Sequence, residues 1–228
     1  MPDAVERQLQ ATFGEELCFV GQIVIWRSAE AGFVLSHRDD KERTDLHVGR
    51  DADRAAELAR FDDHGNYRPL KTAPNLRHGW RLELASFDEL MRALDHFYPA
   101  RLAVFAAWQK NQLKTTTLRE TLARQSGMYR VAAKISDEQI DDVVGGFCRS
   151  NGGCLRTILW RRDASGSLAS TKLPTEKFDP AYDQAREVRT RASPMGTVMP
   201  LLCQEACNLL VAECRRAVKM EGAAPSAP

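Results

Sequence analysis

The sequence predicts an α+β fold, with a small N-terminal α+β domain followed by a mainly helical domain. Three observations carry this expectation. Runs rich in Val, Ile and Phe (LCFVGQIVIW, FVLSH) and the alternating GWRLELA fall within residues 17–99 and pattern as strands. Residues 100–147 change character, because ARLAVFAAWQKNQL and TLRETLARQ are rich in Ala, Leu, Gln and Arg and repeat their apolar positions about every 3.6 residues. With 228 residues, 43% apolar and 28% charged, the chain can bury a proper core in one large domain or two small ones.

Residues 1–16 read as a short amphipathic helix carrying Val5, Leu9 and Phe13 on one face. LCFVGQIVIW reads as one strand, with Cys18 as a core residue, and a Gly-containing turn leads to FVLSH. Residues 51–61 form a short helix, and a loop marked by Gly65, Pro69 and Pro74 follows. After the strand in GWRLELA, Ser86 fits an N-cap with Glu89 completing a capping box, for a helix that ends before Pro99. Residues 17–99 are thus one α+β domain, and residues 100–219 a second domain.

In the second domain two helices are followed by MYRVAAKI, an extended segment. Ser136 with Gln139 then caps a helix running through residue 147. LRTILW reads as a strand. Residues 163–200, rich in Ser, Thr, Pro and Gly with one short helix around 181–190, form a long connection that either lies over a site or is a disordered insertion. Residues 220–228 read as a disordered tail.

Composition narrows function. There is no apolar leader and no stretch of about 18 consecutive apolar residues, so a soluble, cytoplasmic protein without a membrane partner is expected. Six cysteines are too few for a disulfide scaffold, and clustered thiols in a reducing compartment bind metal or do redox work. The formal charge of +1 is unevenly spread: residues 1–147 hold 20 Lys/Arg against 23 Asp/Glu, and residues 148–228 hold 12 against 8. The cysteine-rich end is the positive one, which suits a negatively charged thiolate centre. The helix DEQIDDVVGGF is acidic, the wrong sign for lying along phosphates, and speaks against nucleic acid. His37, His47, His64, His78 and His96 are scattered, with no spacing that sets two imidazoles on one helical face, and read as surface or hydrogen-bonded residues. No catalytic constellation is evident.

Four of the six cysteines form the distinctive pattern. Cys148 and Cys154 are spaced C-x5-C, 48 residues intervene, and Cys203 and Cys207 are spaced C-x3-C. Asn151, Gly152 and Gly153 supply residues that turn the chain back between the first pair. After Pro200, LLCQEACNLLVAECRRAVK reads as one helix, which puts Cys203 and Cys207 an i,i+4 step apart with Cβ atoms about 5–6 Å from each other. They would lie in its first turns, where the dipole favours negative charge. Cys214 on that helix would be about 10 Å along the axis from Cys207 and about 16 Å from Cys203, so it is left out as a ligand. Neither pair is a C-x2-C zinc knuckle, and the common ferredoxin runs are absent. An iron-sulfur centre, a zinc site and a thiol-only reading all stay open on spacing. The zinc alternative would be an interaction or nucleic-acid-binding module presenting Arg156, Arg161, Arg162, Arg215 and Arg216.

TLRETLARQSGMYRVAAKISDEQIDDVV, FCRSNGGCLRTILW and PLLCQEACNLLVAECRR together resemble the [4Fe-4S] cluster-binding domain found fused to CbiX-type sirohydrochlorin cobalt chelatases. The preceding α+β region is similar to the stabilising domain of those proteins. The resemblance implies a [4Fe-4S] cluster on Cys148, Cys154, Cys203 and Cys207, and matches no ligand position to Cys18 or Cys214. The chelatase module is not seen in this sequence, so chelatase activity is not implied. What is implied is a redox, electron-transfer or accessory role linked to tetrapyrrole (cobalamin or sirohydrochlorin) metabolism, with a separate chelatase or redox protein as partner. A different class of reading is a tetrapyrrole enzyme whose active site lies beneath the long connection.

Overall fold

The β-rich N-terminal sequence builds a mixed six-stranded sheet, described from a computed structural model covering residues 10, 11, 13, 17–125, 127–149, 153–164 and 197–222. Its strands are β1 (Leu17–Val20), β2 (Ile23–Ser28), β3 (Gly32–His37), β4 (His47–Gly49), β5 (Trp80–Leu84) and, from much later in the chain, β7 (Thr197–Met199), in the order β4-β5-β3-β2-β1-β7. The neighbours β1–β2, β2–β3 and β3–β5 are antiparallel, whereas β4 and β7 join β5 and β1 in parallel. The fold is α+β, as the sequence predicts.

LCFVGQIVIW is two strands rather than one. Gly21 takes φ +57°, a left-handed conformation that costs glycine least, and folds β1 back on β2. A Cβ there would stand 2.7 Å from the hydroxyl of Tyr98, so the turn is glycine for space as well. Two helices of this unit, α1 (Arg54–Arg60) and α2 (Phe87–Phe97), form where expected. The Ser86 hydroxyl accepts the Glu89 N–H at 3.2 Å, and the Glu89 carboxylate reaches past Ser86 to accept from Ala85 N–H at 2.9 Å. Leu90, Ala93, Leu94 and Phe97 make the buried stripe of α2, and Phe97 stacks on Trp80 of β5 with ring centres 4.9 Å apart.

Among the described residues, those up to Leu113 together with 197–202 form one compact unit, and those from Lys114 to 164 with 203–222 form the other. Helix α3 (Arg101–Gln109) therefore sits in the first unit, whereas the sequence reading placed residues 100–109 in the second domain. Of the expected helix at 1–16, Gln10, Ala11 and Phe13 are helical and Phe13 is buried; Val5 and Leu9 lie outside the described residues.

The second unit opens on α4 (Leu118–Arg124), capped by Thr117 and Glu120, and α5 (Asp137–Val144), where the expected Ser136–Gln139 capping box is present. MYRVAAKI is not extended: Gly127–Lys134 is a 3-10 helix, and its buried Ala132, with Ile135 just beyond, packs into the same core as Leu118 and Leu122. That burial overrides the local preference. The strand expected at 155–160 is reduced to β6 (Thr157–Ile158). The last helix, α6, spans Asn208–Gly222. The long connection's predicted helix at 181–190 and Asn151–Gly152 of the glycine turn lie outside the described residues, and the tail reading at 220–228 meets α6, which continues through Gly222.

Candidate metal centre

The second unit's core is built from Leu118, Ile140, Val144, Ile158, Trp160 and Leu210 among others; Cys203 and Cys214 are part of it, and Cys148 and Cys207 pack against it. Backbone hydrogen bonds fix the segments that carry them. The N–H groups of Leu118 and Arg119, which open α4 and have no partner within it, donate to the carbonyls of Arg161 and Arg162 at 2.9 Å each. Leu159 N–H donates to Cys203 C=O at 2.9 Å, and Thr116 N–H to Gln204 C=O at 3.2 Å. Residues around Trp160 and around Cys203 are thereby held side by side.

These bonds correct one expectation. Cys203 is not in a helix but in β8 (Leu202–Cys203), paired with β6, and α6 begins only at Asn208. Leu201, Leu202 and Cys203 are buried in succession, which one face of a helix cannot achieve. Cys207 takes the N-cap position, its carbonyl accepting Val211 N–H at 3.1 Å, so it still lies at the positive end of the helix dipole. Cys148 lies in a π-helical turn, Gly145–Arg149, that continues α5. Such turns widen a helix locally and recur at functional sites.

Cys203 is the buried thiol of the four predicted ligands, while Cys148, Cys154 and Cys207 are half-buried. The Trp160 indole Nε1–H donates to Cys203 Sγ at 3.3 Å, and the Arg156 guanidinium Nη1–H at 3.8 Å. The sulfur also lies 3.2 Å from the Glu205 carbonyl, which accepts from the thiol. Burial pushes the Cys203 thiol up; Arg156 and the Trp160 N–H oppose it, and the sulfurs of Cys154 and Cys207 add to it. Arg156 shows the converse: burial weakens its charge, but Cys203, Cys154 and Cys207 together hold it above its ordinary value. One guanidinium therefore feels three of the four predicted ligands. Cys148 packs, as Cys207 does, against the unit's core.

The donor set is soft, and Arg156 beside Cys203 offsets negative charge, which suits a thiolate-bound metal group. None of the six cysteines is in a disulfide. Cys214 is fully buried, its thiol pushed up to about 12 by burial, and Cys18 is buried in β1; both behave as small core residues.

Of the five predicted cations, Arg156 reaches sulfur. Arg162 turns to Asp137 at 3.3 Å and Asp141 at 3.9 Å, and Arg216 pairs with Glu213 at 2.6 Å. Trp160 was not anticipated, since nothing local announces where its N–H points.

The histidines are less scattered than their spacing suggests. The rings of His37 and His78 lie 3.8 Å apart, and His37, Asp39 and His78 bring ligand atoms within 4.8 Å of one another. Both nitrogens of the buried His37 are engaged, Nδ1 by Asp39 N–H at 3.2 Å and Nε2 by the Gln22 amide nitrogen at 3.2 Å, while His78 Nδ1 lies 3.3 Å from the Asp40 carboxylate. The group acts as a hydrogen-bonded brace at the end of β3, in keeping with the sequence reading.

Among the described residues no helix is long and apolar enough to cross a membrane. Residues 110–216 match the family described as 4Fe-4S iron-sulfur cluster binding domain, and residues 4–112 the DR2241 stabilising domain. Of solved structures, the chain is similar to DR2241 from Deinococcus radiodurans, described as a multi-domain protein with structural similarity to chelatases and two additional novel domains. The identity is 27% and the TM-score 0.71, over 95% of this chain and 41% of that one. The chain thus spans about two fifths of that relative's length. No curated protein matches.

Proposed function

We propose, from a chain whose two halves match a stabilising domain and a 4Fe-4S iron-sulfur cluster binding domain, that Cys148, Cys154, Cys203 and Cys207 hold one [4Fe-4S] cluster in a redox or accessory role. The observation that carries the reading is the buried Cys203 sulfur met by the Trp160 and Arg156 N–H groups within the stretch that matches the cluster-binding family. Bound there, the group supplies a one-electron couple. The chain's residues do the rest. Four cysteines complete the ligation and leave no open iron for substrate, which favours electron transfer, sensing or a structural role over catalysis at the metal. Arg156 offsets part of the negative charge, and the core beneath Cys203 keeps water from that side.

A link to tetrapyrrole metabolism, with a separate chelatase or redox protein as partner, is supported by the likeness to a protein resembling chelatases. The two matched domains then correspond to that protein's additional domains. A reducing, cytoplasmic setting fits six cysteines without a disulfide. The test is purification without oxygen followed by metal, sulfide and visible-spectrum analysis. About four irons and a brown colour per chain are expected; a colourless protein with one zinc would sink the proposal.

A further inference from the structure

Cys203 differs from the other three predicted ligands in its surroundings. It is buried, and two side-chain N–H groups converge on its sulfur from β6 and its flanks: Trp160 Nε1 at 3.3 Å and Arg156 Nη1 at 3.8 Å. Trp160 is itself almost wholly buried, with Leu159 beside it tied to Cys203 by a backbone hydrogen bond, so the indole has little freedom to turn away. The neighbouring cation Arg162 is drawn off by Asp137 and Asp141, which leaves Arg156 as the charge whose described hydrogen bond ends on sulfur.

Reduction of an iron-sulfur centre adds negative charge that is shared with its sulfur ligands. A donor N–H aimed at such a sulfur stabilises the reduced form more than the oxidised one and raises the potential. The effect is larger where solvent is excluded, as at Cys203. We propose that Trp160 and Arg156 set the reduction potential of this site through Cys203 Sγ. The inference rests on the cluster reading. Trp160 acts through one neutral, directed N–H at 3.3 Å and Arg156 through a longer N–H contact that also brings a full positive charge, so their removal has distinguishable consequences.

The experiment compares the full chain, reconstituted with iron and sulfide under argon, with Trp160→Phe, Arg156→Lys and Arg156→Met. Iron per chain, a thermal melt and a dithionite redox titration are measured for each. Trp160→Phe keeps an aromatic ring in the core while removing the N–H donor and part of the indole's volume; it should keep its iron and titrate at a more negative potential. Arg156→Met should shift further in the same direction and take up iron more slowly, with Arg156→Lys between it and wild type. Should Arg156→Met fail to fold, Trp160→Phe and Arg156→Lys decide. Full iron and wild-type potentials in the folded variants overturn this inference alone. A wild-type chain that takes up no iron overturns the cluster reading and this inference with it.

Discussion

The indole N–H of Trp160 points at Sγ of Cys203 across 3.3 Å, joining two residues 43 positions apart in the chain. The contact is part of the core as well as of the site, since both residues are buried in one cluster with Ile158 and Ala206. Trp160→Ala is therefore expected to destabilise the second unit by about 3–5 kcal/mol through the cavity it leaves. Trp160→Phe should cost about 1–2 kcal/mol, for lost volume and one hydrogen bond. Urea unfolding followed by circular dichroism checks both, and equal midpoints for the two variants would contradict the packing argument.

Cys207 and Cys214 share α6 and its N-terminal flank but have opposite surroundings, half-buried at the cap against fully buried in the core. Cys207→Ser should lower iron per folded chain sharply. Cys214→Ser should leave iron per folded chain unchanged while costing about 1–3 kcal/mol, because it puts a hydroxyl among apolar neighbours. Equal iron loss in both variants would show that the ligand set is wrong.

What could be read from the sequence was what is local. Ser86 and Ser136 announce their helices because an N-cap acts within one turn, and the four-cysteine pattern marks the second unit before any contact is known. Cys203 was misplaced in a helix because LLCQEAC has helical composition, and only pairing with the distant β6 makes it a strand. The division of LCFVGQIVIW was missed for a similar reason: Gly21 turns against Tyr98, 77 residues later. Trp160 and the His37–His78 stack likewise depend on register between segments, which no spacing rule reports.

His37 is buried against His78, and burial first, then His78 and Arg38, hold its protonation below the ordinary 6.5 despite Asp39 and Asp40. A histidine that protonates less readily folded than unfolded contributes stability that is complete above about 6.5 and is lost as pH falls through its folded value. The urea midpoint of the first unit should therefore drop on going from pH 7.5 toward pH 5, approximately the range below the unfolded imidazole value. His37→Gln should flatten that slope; an identical slope in the variant would refute the assignment.

Tyr98 gives the alkaline counterpart. Its hydroxyl accepts Gln22 N–H at 2.9 Å in the interior, and burial pushes the phenol from 10.0 up to about 12. The folded state thus holds this proton more tightly, so its contribution is complete below pH 10 and fades as pH rises toward 12, by about 2–3 kcal/mol in all. Tyr98→Phe removes this alkaline loss and leaves Gln22 N–H unpaired, a cost of about 1–3 kcal/mol at neutral pH. Unfolding midpoints at pH 8 and pH 11 for both proteins separate the two effects.

The glycine opposite Tyr98 can be tested against a control. Gly21 and Gly65 both hold positive φ, +57° and +77°. A Cβ on Gly21 would meet the Tyr98 hydroxyl at 2.7 Å and Leu201 Cδ1 at 2.8 Å, whereas one on Gly65 meets nothing within 4 Å. Gly65→Ala should cost only the left-handed backbone penalty, about 1–2 kcal/mol. Gly21→Ala carries the same penalty plus overpacking of about 1–3 kcal/mol, because the buried Tyr98 ring cannot withdraw without giving up its bond to Gln22. Matching losses in the two variants would mean that the turn is glycine for its dihedral alone, and that Tyr98 has room to yield.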